Sequence, residues 1–121
     1  MRPTTAMTEL ICIRPRGKRV AVTVAIGHPC PRSEGDWGCA VAISGLDEGV
    51  KTIHGHDSLQ ALCLALTFVR SRLTAFVADG GRILSSSTTE EFPFDAYFPP
   101  PRGMGKRRPG RPASRGARRS R

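Results

Sequence analysis

The stretch GHDSLQALCLALTFVRSRLTAFVADGG, residues 55–81, decides the fold, because the apolar pattern changes there from that of a strand to that of a helix. Asp57 stands where an N-cap residue would accept from the first turn, and Gln60 completes a capping box. Apolar side chains then recur at steps of three and four: Leu59, Leu62, Cys63, Leu66, Val69, Leu73 and Phe76. The pattern predicts a helix to about Ala78, ended by the glycines at 80 and 81.

The segments before this helix have the composition of β-strands. They cover residues 8–13, 19–26, 37–44 and 50–54, and residues 82–85 add a short edge strand. In the clearest of them Val20, Val22, Val24 and Ile26 share one face, which predicts a buried face for the helix to pack on. Short links favour an antiparallel meander. The sequence therefore predicts an α+β fold, a small antiparallel sheet of about four strands packed by one long helix.

Three regions are predicted along the chain. Residues 1–7 are expected to be unstructured, and the sequence leaves open whether Met1 or Met7 is the start. Residues 8–98 form the α+β body, ending in an aromatic segment, residues 92–98, that is expected to pack back on it. Residues 99–121 begin with three prolines, a stiff spacer, and continue as an arginine-rich tail with nothing to bury, which predicts disorder.

Charge is segregated between the body and the tail. The chain has 19 Lys plus Arg against 10 Asp plus Glu, a net charge of +9. Residues 102–121 contain nine basic residues and no acidic one, so the remaining positions balance to zero. This distribution excludes a uniformly basic fold that coats nucleic acid over its whole surface. It predicts a neutral body with a cationic arm that binds phosphates.

Part of the tail resembles an AT-hook, a segment that enters the minor groove of A·T-rich DNA. Gly110, Arg111 and Pro112 match the centre of the hook, and Pro109 departs from it by replacing the usual second arginine. The sequence thus leaves open both the A·T preference and the choice between DNA and RNA. The candidate nucleic-acid-binding residues are Arg102, Lys106, Arg107, Arg108, Gly110, Arg111, Pro112, Arg115, Arg118, Arg119 and Arg121.

The chain shows no sign of export or membrane insertion. No stretch is expected to reach the roughly 20 apolar residues of a membrane span, and the first residues lack the apolar run of a signal peptide. A cytoplasmic location without membrane contact is therefore predicted.

The cysteines at 12, 30, 39 and 63 form no C-x-x-C pair. We expect four free thiols, at least two of them buried.

Catalytic and metal chemistry have weak candidates. A zinc site would draw on His28, Cys30, Cys39, His54 and His56, but their spacing matches no known finger. Cys30 beside His28 is the one plausible nucleophile. Asp36 and Asp57 are the best placed general acids, although both suit turn or cap roles. Gly80 and Gly81 follow a helix rather than open one, the wrong polarity for a phosphate cradle. We therefore expect a non-enzyme with no metal or cofactor.

The middle of the chain resembles a family of small bacterial domains of unknown function. The residues that carry the resemblance are Trp37 and Cys39 in a W-x-C strand, then the pattern G-x-D-S-x-Q-A-L-x-L-A-L over residues 55–66, and Phe92-Pro93. It covers roughly residues 8–95 and implies a compact domain of strands followed by one helix in a bacterial cytosol. The resemblance brings no activity and no catalytic residue with it, and the basic tail lies outside it.

Two functions of different class follow. The first is a non-enzymatic body whose tail binds nucleic acid through phosphates, with groove contacts from Arg107, Arg108 and Arg111. The alternative is a protein-interaction module, immunity-like, that uses the exposed sheet face or the loop over residues 28–36, with a non-functional or solubilising tail. A metal-dependent enzyme is the third reading, and it requires bound zinc.

Overall fold

The computed structural model describes residues 3–88 and 90–98, and within them everything but the side chain of Asp95. Their secondary structure follows the order predicted from the sequence, with two short additional elements. The elements are β1 (Thr4–Ile13), β2 (Arg19–Gly27), β3 (Cys30–Pro31), β4 (Trp37–Ser44), β5 (Lys51–Gly55), α1 (Ser58–Ala78), β6 (Arg82–Ser85) and α2 (Phe94–Tyr97). The α+β class, an antiparallel sheet with one long helix, is confirmed.

The strands form one antiparallel sheet. β1 pairs with β2 on one side and with β6 on the other. β4 pairs with β5 along one edge, and with β2 and then β3 along the opposite edge. The order across the sheet is therefore β6, β1, β2, β4, β5, with β3 prolonging the β2 position. Helix α1 connects the two outermost strands, β5 and β6, by crossing one face of the sheet.

Two boundaries differ from the sequence prediction. β1 begins at Thr4, so residues 4–7, expected to be unstructured, are paired with the end of β2 up to Thr4 opposite Gly27. These residues are exposed. Since they contribute backbone hydrogen bonds and no core side chain, no apolar alternation marked them. The expected loop over residues 27–36 contains β3, because β4 extends beyond the end of β2 and Trp37 and Gly38 pair with Pro31 and Cys30.

The termini of α1 agree with the sequence. Asp57 is the N-cap and its Oδ1 accepts from the Gln60 N–H at 2.8 Å, while Gln60 Oε1 accepts from the His56 N–H at 2.6 Å. The first bond satisfies an amide donor that the first helical turn leaves open, and the second satisfies the amide of the residue before the cap. At the other end Gly80 takes φ +103°, the left-handed conformation that stops the helix.

The face of α1 that packs on the sheet agrees with the predicted stripe in the second half of the helix and differs from it in the first. Its fully buried residues are Ala61, Ala65, Val69 and Leu73, at a strict spacing of four. Val69 and Leu73 belong to the predicted stripe, and Leu62 and Phe76 are partly buried against the core, whereas Leu59 is 68% exposed, Leu66 37% exposed, and Cys63 exposed. The core below the helix is the predicted face of β2, joined by residues of the other strands. These are Leu10, Cys12, Cys39, Val41, Ile43 and Ile83.

The exposure of leucines in the first half of α1 has a local cause at Gly55, the last residue of β5. A Cβ on Gly55 would lie 2.7 Å from the Cα of Ala61, and closer still to its backbone nitrogen. The sheet and the first turn of the helix are thus in backbone contact, and the fully buried positions there, 61 and 65, are alanines. Leu59 and Leu66 are exposed, whereas Leu73 is buried further along the helix.

The exposed leucines of α1 bear on the prediction that no segment could span a membrane. Ser58–Ala78 is long and apolar enough to cross a bilayer by length and composition, so the expectation that no segment reaches this limit is wrong. The four buried residues of α1 pack on strands of the same chain. The core helices of soluble proteins that pass the same test are mostly buried, whereas 22% of the apolar window of this helix is buried.

The aromatic segment, residues 92–98, packs back on the body as predicted. The Phe92 N–H donates to the Ile83 carbonyl at 2.9 Å, which extends the edge of the sheet beyond β6. The Phe92 ring is buried among Phe94, Tyr97 and Phe98, with ring centroids 4.5–6.4 Å apart. Such aromatic pairs contribute beyond the area they bury. The described part of the body therefore continues through the aromatic segment to Phe98.

The first prediction concerns the backbone contact at Gly55. Gly55→Ala should lower the free energy of unfolding by about 1–3 kcal/mol, because the added methyl group meets the main chain of Ala61, which cannot move without the helix. Urea unfolding followed by circular dichroism measures the loss. Gly27→Ala is the matched control, since the nearest atoms to a Cβ there lie at 3.5 Å, ordinary contact. Equal stability of the two variants would contradict the close-approach argument.

Candidate functional site

The residues predicted to bind nucleic acid lie outside the described part of the chain. This applies to the entire set: Arg102, Lys106, Arg107, Arg108, Gly110, Arg111, Pro112, Arg115, Arg118, Arg119 and Arg121. The predicted proline spacer and the departure at Pro109 also fall outside it. The structure instead defines the surfaces of the body that carries them.

Over β2, β4 and β5, the face of the sheet opposite α1 has no described element packed on it. Because side chains alternate along a strand, the residues between the core positions of β2, β4 and β5 point away from α1. These residues also point away from α2, because Phe92, Phe94 and Phe98 pack on the core side of the sheet. We call this surface the open face, and it is built from small residues: Ala21, Thr23, Ala25, Ala40, Ala42 and Thr52. Ala25 pairs with Ala42, and Ala40 with Thr52, so the surface is flat.

A shallow cleft of about 400 Å³ lies at one end of the open face. Gly38 forms part of it, and a Cβ there would lie 2.9 Å from the Thr52 methyl and 3.2 Å from Arg32 Cδ. The remaining walls come from the loop after β2 and from the start of β5. The open face and the loop over residues 28–36, two surfaces that the sequence offered for a protein partner, are therefore adjacent.

Arg32 organises this loop. Its Nε donates to Asp36 Oδ1 at 2.9 Å and its Nη2 to Glu34 at 2.7 Å, while its backbone N–H donates to the Asp36 carbonyl. The guanidinium hydrogen bond lowers the pKa of the Asp36 carboxyl below its usual value. A carboxylate held ionised in this way is a structural partner, not a proton donor near neutral pH. Asp57, the other candidate acid, serves as the helix cap.

The candidate nucleophile and its histidine do not pair. The Cys30 thiol donates to the backbone carbonyl of His28, at 3.4 Å, while the His28 ring bonds to the Thr5 hydroxyl through Nδ1, at 2.6 Å. The arrangement lacks the thiol–imidazole contact that would activate the sulfur. It ties the start of β1 to the loop after β2.

The candidate zinc ligands are spread over different surfaces. Cys39 is buried on the core side, where its thiol donates to the Gly27 carbonyl at 3.4 Å. His54 lies opposite Gly38 on the other side of the sheet, and His56 is exposed beside the helix cap. In the part of the chain that the structure describes, no three His, Cys, Asp or Glu side chains come together to hold a metal ion.

A bidentate ion pair connects the turn after β4 to α1. Arg72 donates to both oxygens of Asp47, at 2.6 and 2.9 Å, and this hydrogen bonding lowers the pKa of Asp47. Arg82 and Glu91 make a further pair, at 2.6 Å, that connects β6 to the aromatic segment. Several cations of the body are thus already neutralised by carboxylates at its surface.

A family model confirms the domain that the sequence suggested. It matches residues 9–96 and is described as a domain of unknown function, DUF6968. The chain belongs to the DUF6968 family. The match begins within β1 and ends within α2, so the DUF6968 domain comprises the sheet, the long helix and most of the aromatic segment, whereas the basic tail follows it. Neither a curated protein nor a solved structure matches the chain.

The four cysteines of the chain are free thiols, and Cys12 and Cys39 are buried as predicted. Burial raises the pKa of both of these thiols, which makes the reactive thiolate scarcer. We therefore predict that iodoacetamide alkylates Cys63 and Cys30 in the native protein, and Cys12 and Cys39 only after unfolding. Mass spectrometry of tryptic peptides over a time course gives the order of modification. Rapid native labelling of Cys39 would contradict the core described above.

Proposed function

We propose that this protein binds nucleic acid through its arginine-rich tail. In this proposal the DUF6968 body carries the tail, is cytosolic, catalyses no reaction and holds no metal or cofactor. The observation that carries the proposal is the segregation of charge. Nine cations and no acid occupy residues 102–121, while the rest of the chain is neutral. Phosphates of a nucleic acid are the partner that such a segment fits best.

The tail offers two kinds of contact. Gly110, Arg111 and Pro112, with Arg107 and Arg108 upstream, have the composition for insertion into a narrow minor groove, where the negative potential is strongest. Lys106, Arg115, Arg118, Arg119 and Arg121 add contacts to phosphates. The first group would confer a preference for A·T-rich DNA, and the second would bind any duplex.

Salt-titrated binding to A·T-rich and G·C-rich duplexes of equal length tests the proposal. If the tail engages about six phosphates, its contribution should make log affinity fall with log salt at a slope near −5. A 1–98 form, which retains every core residue named above, should lose this binding. Full affinity of the 1–98 form, or no binding by the full chain near physiological salt, would overturn the proposal.

Two tail variants with equal loss of charge separate groove contacts from phosphate contacts. R107Q/R108Q/R111Q and R115Q/R118Q/R119Q should each reduce the magnitude of the salt slope by roughly 3. Only the first variant should also lose the preference for A·T-rich over G·C-rich duplex. If the wild-type protein binds A·T-rich and G·C-rich duplexes equally well, the AT-hook interpretation is excluded and only phosphate binding remains.

A second candidate function is binding of a protein partner by the body. The open face favours it, since a flat sheet surface of alanines and threonines is left uncovered by the described elements and adjoins the cleft beside Arg32. A photo-crosslinking residue at Ala42, on this face, tests it against the same residue at Thr67, which is exposed on α1. A discrete adduct from position 42 alone supports a partner at the open face, and the same adducts from both positions count against it.

A further inference from the structure

We propose that the hairpin joining β1 and β2 is a second phosphate-binding site, located on the body and acting together with the tail. The inference rests on the proposed function and adds a folded contact surface to it. The hairpin places four cations within six consecutive positions: Arg14, Arg16, Lys18 and Arg19. All four are exposed.

The turn of the hairpin is held in one backbone conformation. The Arg14 N–H donates to the Lys18 carbonyl at 2.8 Å, and the Gly17 N–H donates to the Arg14 carbonyl at 2.7 Å. Gly17 takes φ +96°, which suits glycine alone among the common residues, and Pro15 fixes a second φ angle. The cations therefore project from a fixed turn at the end of two long strands, and binding there requires little ordering of the backbone.

The hairpin cations differ from Arg32, Arg72 and Arg82 of the body in having no carboxylate partner. None of the four makes an ion pair within 4 Å in the part of the chain that the structure describes. Arg32, Arg72 and Arg82, by contrast, each contact a carboxylate oxygen at 2.6–2.9 Å. Local positive charge on the neutral body is thus concentrated at the hairpin, where it remains available to an anionic partner.

The hairpin also lies near the point where the tail begins. A groove of about 470 Å³ is bounded by α1, including Ala78, and by Tyr97 and Phe98, the last described residues. Two positions beyond Ala78, Gly80 faces Pro15 of the hairpin, with a Cβ there 3.5 Å from the proline ring. The C-terminal end of α1 therefore lies beside the basic turn and borders the same groove as Phe98.

This placement lets one nucleic acid contact both elements. Twenty-three residues follow Phe98, and a chain of that length spans at most about 75 Å when extended. Once the tail is bound, the hairpin is held close to the same duplex, so its association becomes intramolecular and strengthens overall binding without high affinity of its own.

The test uses the full chain and compares two variants of equal net charge. R14Q/R16Q/K18Q removes three unpaired cations, and R32Q/R72Q/R82Q removes three that are already paired. The hairpin variant should weaken duplex binding roughly tenfold near 0.1 M salt and reduce the magnitude of the salt slope by 2–3. The control variant should keep the wild-type slope. Circular dichroism and thermal denaturation verify that both variants are folded.

A direct measurement accompanies the affinities. In ¹⁵N-labelled full-length protein, addition of duplex should shift the amide resonance of Gly17 in proportion to saturation, and that of Gly49, an exposed turn glycine, should stay in place. Wild-type affinity of the hairpin variant, or an equal loss in the control variant, would overturn the site. Binding to anionic lipid vesicles in place of duplex would overturn it as a nucleic-acid contact.

The two proposals fail in different ways. If R107Q/R108Q/R111Q and the 1–98 form bind as well as the wild type while the hairpin variant does not, the tail proposal fails and the hairpin remains the contact site. If the tail forms lose binding while the hairpin variant is unaffected, only the hairpin proposal fails. Absence of binding by the wild-type chain overturns both.

Discussion

The backbone contact between Gly55 and Ala61 is the constraint on which the rest of the structure depends. It joins the end of β5 to the first turns of α1 with no side chain between them, at a point where a Cβ would meet main-chain atoms. The helix must lie close to the sheet there, so alanines occupy the interface at 61 and 65. As the helix continues toward its C-terminus, Val69 and Leu73 fill the space below it. This taper sets the angle at which α1 crosses from β5 to β6.

The distribution of the remaining surfaces follows from that crossing. A single helix covers one face of the sheet, and the aromatic segment closes the same side at β6. Over β2, β4 and β5 the opposite face is mainly alanine and threonine, residues that need no cover because they present little apolar area. The body thereby divides its surface into a flat open face, an apolar outer side of α1, and a cationic turn at the end of β1. These three surfaces differ in chemistry, and of the three only the turn is positively charged, as the tail is.

Much of this fold could be predicted because its signals are local. The alternation of Val20, Val22, Val24 and Ile26 located the core of the sheet, and Asp57, Gln60 and Gly80 marked the ends of α1. The exposure of Leu59, Cys63 and Leu66 was not predicted, because leucines and alanines both recur along the first half of the helix and the contact at Gly55 places the alanines against the sheet. The first residues of β1 were missed since they contribute pairing without burial. The tail candidates depend on charge alone, whereas the hairpin cations looked like ordinary turn residues until their lack of ion pairs was visible.

The place of β6 in the sheet has a consequence for how the chain folds. The successive pairings of β1, β2, β4 and β5 join strands that are neighbours in sequence, whereas β6 returns across α1 to pair Ser85 with Leu10. That closure spans about 75 residues and incurs the largest loop entropy in the molecule. On a ribosome, the outer edge of β1 stays unpaired until the helix and β6 have emerged, and an unpaired strand edge is a template for association with other chains. The basic tail follows β6 in the chain, so its cations leave the exit tunnel only after the strand that closes this edge.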